Sequence, residues 1–246
     1  MSALRLSLEH PALARLTGLG VRVAVVDSGI AAGHPHIGPV AGGIRIAGDG
    51  TVDADFADRI GHGTAVAAAI REKAPEAELF AIRVFETRLT ATAEALADGI
   101  RRAMEHGARL VNLSLGTANP AHGTLLAEAV GRARIAGALV VSALEMDGTP
   151  SLPGSLDGVL GVRLDWACPR DEIRLEREGG SRVVAVASGY PRPVPGVPPE
   201  RNLKGMSFAV ANVTGLVARL FSGSDRRVAT GADVGDLARE ALSAGR

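Results

Sequence analysis

Apolar residues along this chain fall into two alternating kinds of run, short β-branched segments with little polar interruption and longer alanine-rich segments with helical spacing. Val21 to Val26 reads as a strand buried on both faces, and Thr64 to Lys73 as a helix that ends before Pro75. Leu79 to Val84 then reads as a strand, Ala91 to His106 as a helix stopped by Gly107, and Arg109 to Leu113 as a strand. The unit repeats with a helix over Thr124 to Ala136, Gly137 behind it, and strands at Leu139 to Ala143 and Val159 to Leu164. Strands that scarcely alternate, separated by helices, predict an α/β fold with a mainly parallel central sheet and helices on both faces.

The last third has a different pattern. Glu172 to Val186 predicts a hairpin around Gly179-Gly180, and Tyr190 to Glu200 holds five prolines, which predicts an extended surface loop. From Ser207 to Leu220 the apolar residues Phe208, Val210, Val213, Leu216, Val217 and Leu220 recur at helical spacing, so Ser207 is expected at or near a helix N-terminus. Asp233 to Ala244 reads as a closing helix. The 246 residues, 46% of them hydrophobic, suffice for a large core, and residues 1–246 are expected to form one domain.

Charge and cysteine content narrow the function. Lys plus Arg and Asp plus Glu both number 27, so nothing electrostatic favours nucleic acid or an anionic membrane, and a neutral small molecule or a peptide is the expected partner. The one cysteine, Cys168, has no internal partner for a disulfide. The first thirty residues lack the basic start, apolar run and cleavage site of a secretory signal, so a cytoplasmic location is expected. No apolar run is long enough to span a bilayer. A dinucleotide-binding fold is disfavoured because no G-x-G-x-x-G opens the first helix.

Three segments carry candidate chemistry: Val23-Ala24-Val25-Val26-Asp27-Ser28-Gly29, Gly61-His62-Gly63-Thr64 and Gly205-Met206-Ser207-Phe208-Ala209. Each key residue has an ordinary alternative: Asp27 as a turn cap, His62 as a loop histidine, Ser207 as a helix N-cap. Together they offer what nucleophilic catalysis needs, a hydroxyl, an imidazole to take its proton and a carboxylate to orient the imidazole. Asp27 also lies at the carboxyl end of a predicted strand, where open parallel sheets place their ligands.

In this order and spacing the three segments resemble those of the subtilisin-like serine proteases, and the likeness runs from about Pro11 to the end. The resemblance implies that Asp27 orients the imidazole, that His62 is general base and then acid, and that Ser207 attacks the carbonyl. Gly99 to Gly116 also resembles the family's helix and following substrate strand, which implies that Ser114-Leu115-Gly116 binds an extended peptide through its main chain. No cofactor is implied.

Departures from the family lie around the triad and at its metal-binding loop. The resemblance implies that the family's oxyanion asparagine is replaced: the segment reads Ser142-Ala143-Leu144-Glu145-Met146-Asp147-Gly148, which puts Met146 at the asparagine position, or Asp147 if the alignment shifts by one residue, and neither supplies the amide. Losing one such donor costs roughly 10²–10³ in turnover. The family's proline and histidine inside the serine helix are Ala211 and Asn212. Where an aspartate usually follows the family's His-Pro, this chain has His36, and the oxygen-rich loop after the histidine helix is missing. Since calcium needs about six to eight oxygen ligands, no metal site is expected; the acidic run Asp49, Asp53, Asp55, Asp58 reads as a solvated loop. With no recognisable propeptide ahead of Pro11, the expected function is a serine endopeptidase of narrow specificity or one maturing a precursor peptide. The alternatives are a catalytically impaired peptide- or protein-binding module, and a ligase or cyclase passing the acyl group to an amine.

Overall fold

The computed structural model describes residues 3–180, 182–224 and 228–244. Its elements run β1 (Leu4–Ser7), α1 (Pro11–Ala14), β2 (Arg22–Asp27), β3 (Gly42–Ile46), β4 (Val52–Asp53), α2 (His62–Lys73), β5 (Glu78–Arg83), α3 (Ala93–Glu105), β6 (Leu110–Leu113) and α4 (Gly123–Ala136). They continue with β7 (Leu139–Ala143), β8 (Glu145–Met146), β9 (Thr149–Pro150), β10 (Leu160–Leu164), β11 (Glu172–Glu178), β12 (Arg182–Ala187), α5 (Met206–Ser222) and α6 (Gly231–Ala244).

A ten-stranded sheet has the order β1-β11-β12-β10-β7-β6-β2-β5-β3-β4. Neighbours from β12 to β3 are parallel, and the antiparallel pairs lie at the two edges. The fold class is therefore α/β with a mainly parallel sheet. Every central strand must bury both faces, which is why the apolar runs hardly alternate. In β2, Val23 and Val25 join a core with Val66 and Ile70 of α2 and Val210 and Val213 of α5. Ala24 and Val26 point the other way, toward Leu96 and Ile100 of α3 and Leu126 and Val130 of α4. Each fully buried Val, Leu or Ile contributes about 1.5–3 kcal/mol relative to leaving it in water.

Boundaries differ from the sequence pattern where caps decide them. The third helix starts at Ala93 because the Thr92 hydroxyl accepts the Ala95 N–H, two residues later than the apolar spacing indicated. The edge strands β1 and β4, the neighbouring β3 and the β8–β9 hairpin had no periodic signal; β4, β8 and β9 are two residues each. No helix of the described residues is long and apolar enough to cross a membrane.

Candidate active site

Strand β2 delivers Asp27 at its carboxyl end, and the two-residue period puts this side chain on the face of Val23 and Val25, toward α2 and α5. Asp27 is fully buried. Its Oδ1 accepts the Ser28 N–H at 2.7 Å and lies 2.7 Å from His62 Nδ1. A carboxylate only accepts, so this contact places the imidazole proton on Nδ1 and leaves Nε2 as the basic nitrogen. Oδ2 of Asp27 has no hydrogen-bond partner among the described residues. A purely structural buried aspartate would be expected to satisfy both oxygens.

His62 is the first residue of α2, directly behind Gly61. Gly63 is required next: a Cβ there would overlap the Gly29 carbonyl oxygen and crowd the Asp27 side chain, so only glycine lets the helix start this close to the aspartate loop. Ser28 Oγ accepts the Gly63 N–H at 2.8 Å and donates to Asp58 Oδ1 at 2.9 Å. Asp58 also accepts the N–H groups of Ile60 (2.9 Å), Gly61 (2.8 Å) and Thr64 (2.8 Å), together with the Thr64 hydroxyl. The Thr64 oxygen in turn accepts the Ala31 N–H at 3.0 Å. Burial alone would push the Asp58 carboxyl up, but the Thr64 hydroxyl and the three N–H donors outweigh it and hold the group below its ordinary value. For His62, burial works to lower the pKa, yet the hydrogen bond and charge of Asp27, with a further contribution from Asp58, raise it above 6.5.

Helix α5 brings in the third candidate. Ser207 is its second residue and is half-buried. The next side chain, Phe208, has its ring 5.9 Å from the His62 imidazole, so α5 begins against the histidine. Residues at this position face the unpaired N–H groups and positive end of a helix. Asn212, one turn further, donates to the carbonyls of Ser188 (2.9 Å) and Tyr190 (3.1 Å) and ties the exit of β12 to α5.

Beyond β6, Ser114 is buried, Leu115 half-buried and Gly116 exposed. A buried polar chain links this segment to α5: Thr214 donates to Asn112 Oδ1 at 3.0 Å, and Asn112 Nδ2 donates to Ser114 Oγ at 3.1 Å. Thr117 and Leu152 exchange two backbone hydrogen bonds of 2.9 Å, so residues 151–152 cover one edge beside Gly116.

Met146 and Asp147 sit on the hairpin of β8 and β9. Met146 is 46% exposed, and a thioether supplies no N–H or O–H to an oxyanion. Asp147 (φ 50°) and Gly148 (φ 77°) are the two turn residues, both left-handed. Asp-Gly is the usual pair for such a turn, so turn geometry alone accounts for Asp147; this dipeptide was the unread signal for the hairpin.

Of the acidic run, Asp49 is exposed as expected, whereas the other three, only partly exposed, are engaged by neighbours. Asp53 pairs with Arg45, Asp55 with Arg59 (2.7 Å) and Arg83 (3.1 Å), and Asp58 with the start of α2. Among the described residues no group of three or more His, Cys, Asp or Glu is placed to hold a metal ion. Asp58, Ser28, Thr64 and Asn112 were not singled out from sequence; a carboxylate four residues before His62 was the available signal for the first.

Residues 18–162 match the profile of the Subtilase family. Subtilisin DY of Bacillus licheniformis is 29% identical over 228 residues, covering 83% of this chain and 78% of that protein. Subtilisin Savinase of Lederbergia lenta is 35% identical over 146 residues, covering 56% of this chain; the chain thus spans 52% of that relative's length. The crystal structure of a cold adapted subtilisin-like serine proteinase shares the fold, with a TM-score of 0.65 at 20% identity over 90% of this chain and 82% of that one.

Proposed function

The chain belongs to the subtilase family of serine proteases, and from that premise we propose that it is a serine endopeptidase acting on an extended peptide through an acyl-enzyme. The observation that carries the reading is the 2.7 Å contact of Asp27 with His62 Nδ1, which leaves Nε2 as the free base on an imidazole packed against Phe208, the residue after Ser207. Ser207 Oγ attacks the scissile carbonyl carbon while its proton passes to His62 Nε2. The C–N bond then breaks and the amine leaves with that proton; a water giving its proton to His62 attacks the acyl carbon, the C–Oγ bond breaks, and Ser207 Oγ takes the proton back as the acid leaves. Asp27 remains a carboxylate and stabilises the imidazolium. The backbone N–H of Ser207 is the donor left for the oxyanion, since Met146 supplies none. The peptide is expected to lie along Ser114-Leu115-Gly116. With one oxyanion donor fewer, turnover is expected to be slow, and the substrate range expected is narrow, as in maturation of a precursor peptide.

A fluorophosphonate probe tests the reading. Labelling of the wild type that vanishes in Ser207→Ala supports it, whereas a folded wild type that takes no label overturns it. A second reading, a peptide-binding module without turnover, draws on the exposed thioether at Met146. It gains if a peptide substrate binds but no product mass forms.

A further inference from the structure

The geometry points to Asp58 as a positioning residue for His62: its carboxylate fixes the first turn of α2 against the aspartate loop, and its charge offsets the positive end of that helix beside the imidazole. The inference rests on His62 being the base of the proposed reaction.

Three features converge on it. First, the carboxylate gathers donors from both sides of the junction. It takes Ser28 Oγ from the aspartate loop and the Ile60, Gly61 and Thr64 N–H groups from the start of α2. Second, Ser28 relays the link, because the same hydroxyl accepts the Gly63 N–H from the residue after His62. A shift of Asp58 would therefore move Asp27's neighbour and His62's neighbour together. Third, His62 occupies the first position of α2, where the helix dipole opposes the imidazolium that must form during acyl transfer. The charged groups acting on His62 are Asp27 at the end of β2 and Asp58 in the preceding loop; Phe208, packed on it from α5, carries no charge. Asp27 already gives one oxygen to the imidazole, so Asp58 is the anion left to face the helix end.

The experiment follows the His62 ring by NMR titration in the full chain, with Asp58→Asn beside the wild type and His62→Gln to assign the signal. The expected result is a midpoint displaced to lower pH in Asp58→Asn, with fluorophosphonate labelling of Ser207 slowed roughly tenfold or more. A role confined to stability would lower the melting temperature and leave that midpoint in place. A folded Asp58→Asn with an unmoved midpoint overturns the inference. If Asp58→Asn does not fold, Ser28→Ala removes the relay and keeps the charge: slower labelling at an unchanged midpoint supports the inference, and wild-type labelling overturns it. If the wild type takes no label, the protease reading fails, and the titration of Asp58→Asn still decides this one.

Discussion

Around His62, one carboxylate receives hydrogen bonds from Ser28, Ile60, Gly61 and Thr64, and a second, Asp27, holds the imidazole. Around Met146, a two-residue strand pairs with another across an Asp-Gly turn, and the key side chain is 46% exposed. The proton-handling half is over-determined, so small displacements there meet several bonds at once. The Met146 region has one short hairpin, and its thioether offers no side-chain donor. This difference teaches that the two regions are separable in sequence: the Asp27–His62 contact is built here without a side-chain donor at Met146.

Perturbing each half in turn sharpens the contrast. Asp27→Asn is expected to lower labelling of Ser207 by on the order of 10⁴-fold near neutral pH, because an amide beside Nδ1 stabilises the wrong imidazole tautomer. The rate of labelling at fixed probe concentration measures it. Met146→Asn is expected to act in the opposite direction, raising turnover of a peptide substrate by up to roughly 10²–10³ if the hairpin presents the amide to the oxyanion. Unchanged turnover in that variant would place the missing donor elsewhere. Gly63→Ala should destabilise the protein by about 1–3 kcal/mol through overlap with the Gly29 carbonyl, read from denaturant unfolding. Asp147→Asn, which keeps a residue tolerant of the left-handed turn, should change stability by less than about 0.5 kcal/mol.

The pH dependence follows from the raised pKa of His62. Only the neutral imidazole takes a proton, so labelling should rise with pH and reach half its plateau above 6.5. For stability the sign is reversed. A raised folded-state pKa contributes fully below 6.5 and is lost as pH climbs through the folded value, so the wild type should exceed His62→Gln in melting temperature more at acidic than at alkaline pH. Asp58, whose carboxyl is depressed, contributes above its ordinary 3.8 and loses that contribution as pH falls through the folded value.

The sheet was legible because burial on both faces writes itself as unbroken apolar runs, and β7 was placed to the residue as Leu139–Ala143. Helices α2, α4 and α5 were placed within two residues of their ends, since apolar residues recur along each at helical spacing. The strand Gly42–Ile46 was not, because it is short and opens on two glycines, which leave no apolar run to read. Asp58 looked like one of several solvated acids for a related reason: nothing local distinguishes a carboxylate that points at water from one that points at a helix end.

By itself the sequence determined the alternation of strands and helices and the identity of the groups able to do chemistry, because period and residue type are local properties of the chain. Tertiary structure decided which of those groups meet. The parallel crossover connections carry the end of β2 and the starts of α2 and α5 to one side of the sheet, and a glycine at 63 allows the approach that puts His62 on Asp27. Hydrogen-bond partners separated by thirty or more residues, Ser28 with Asp58 and Asp27 with His62, exist only once the chain has closed those loops.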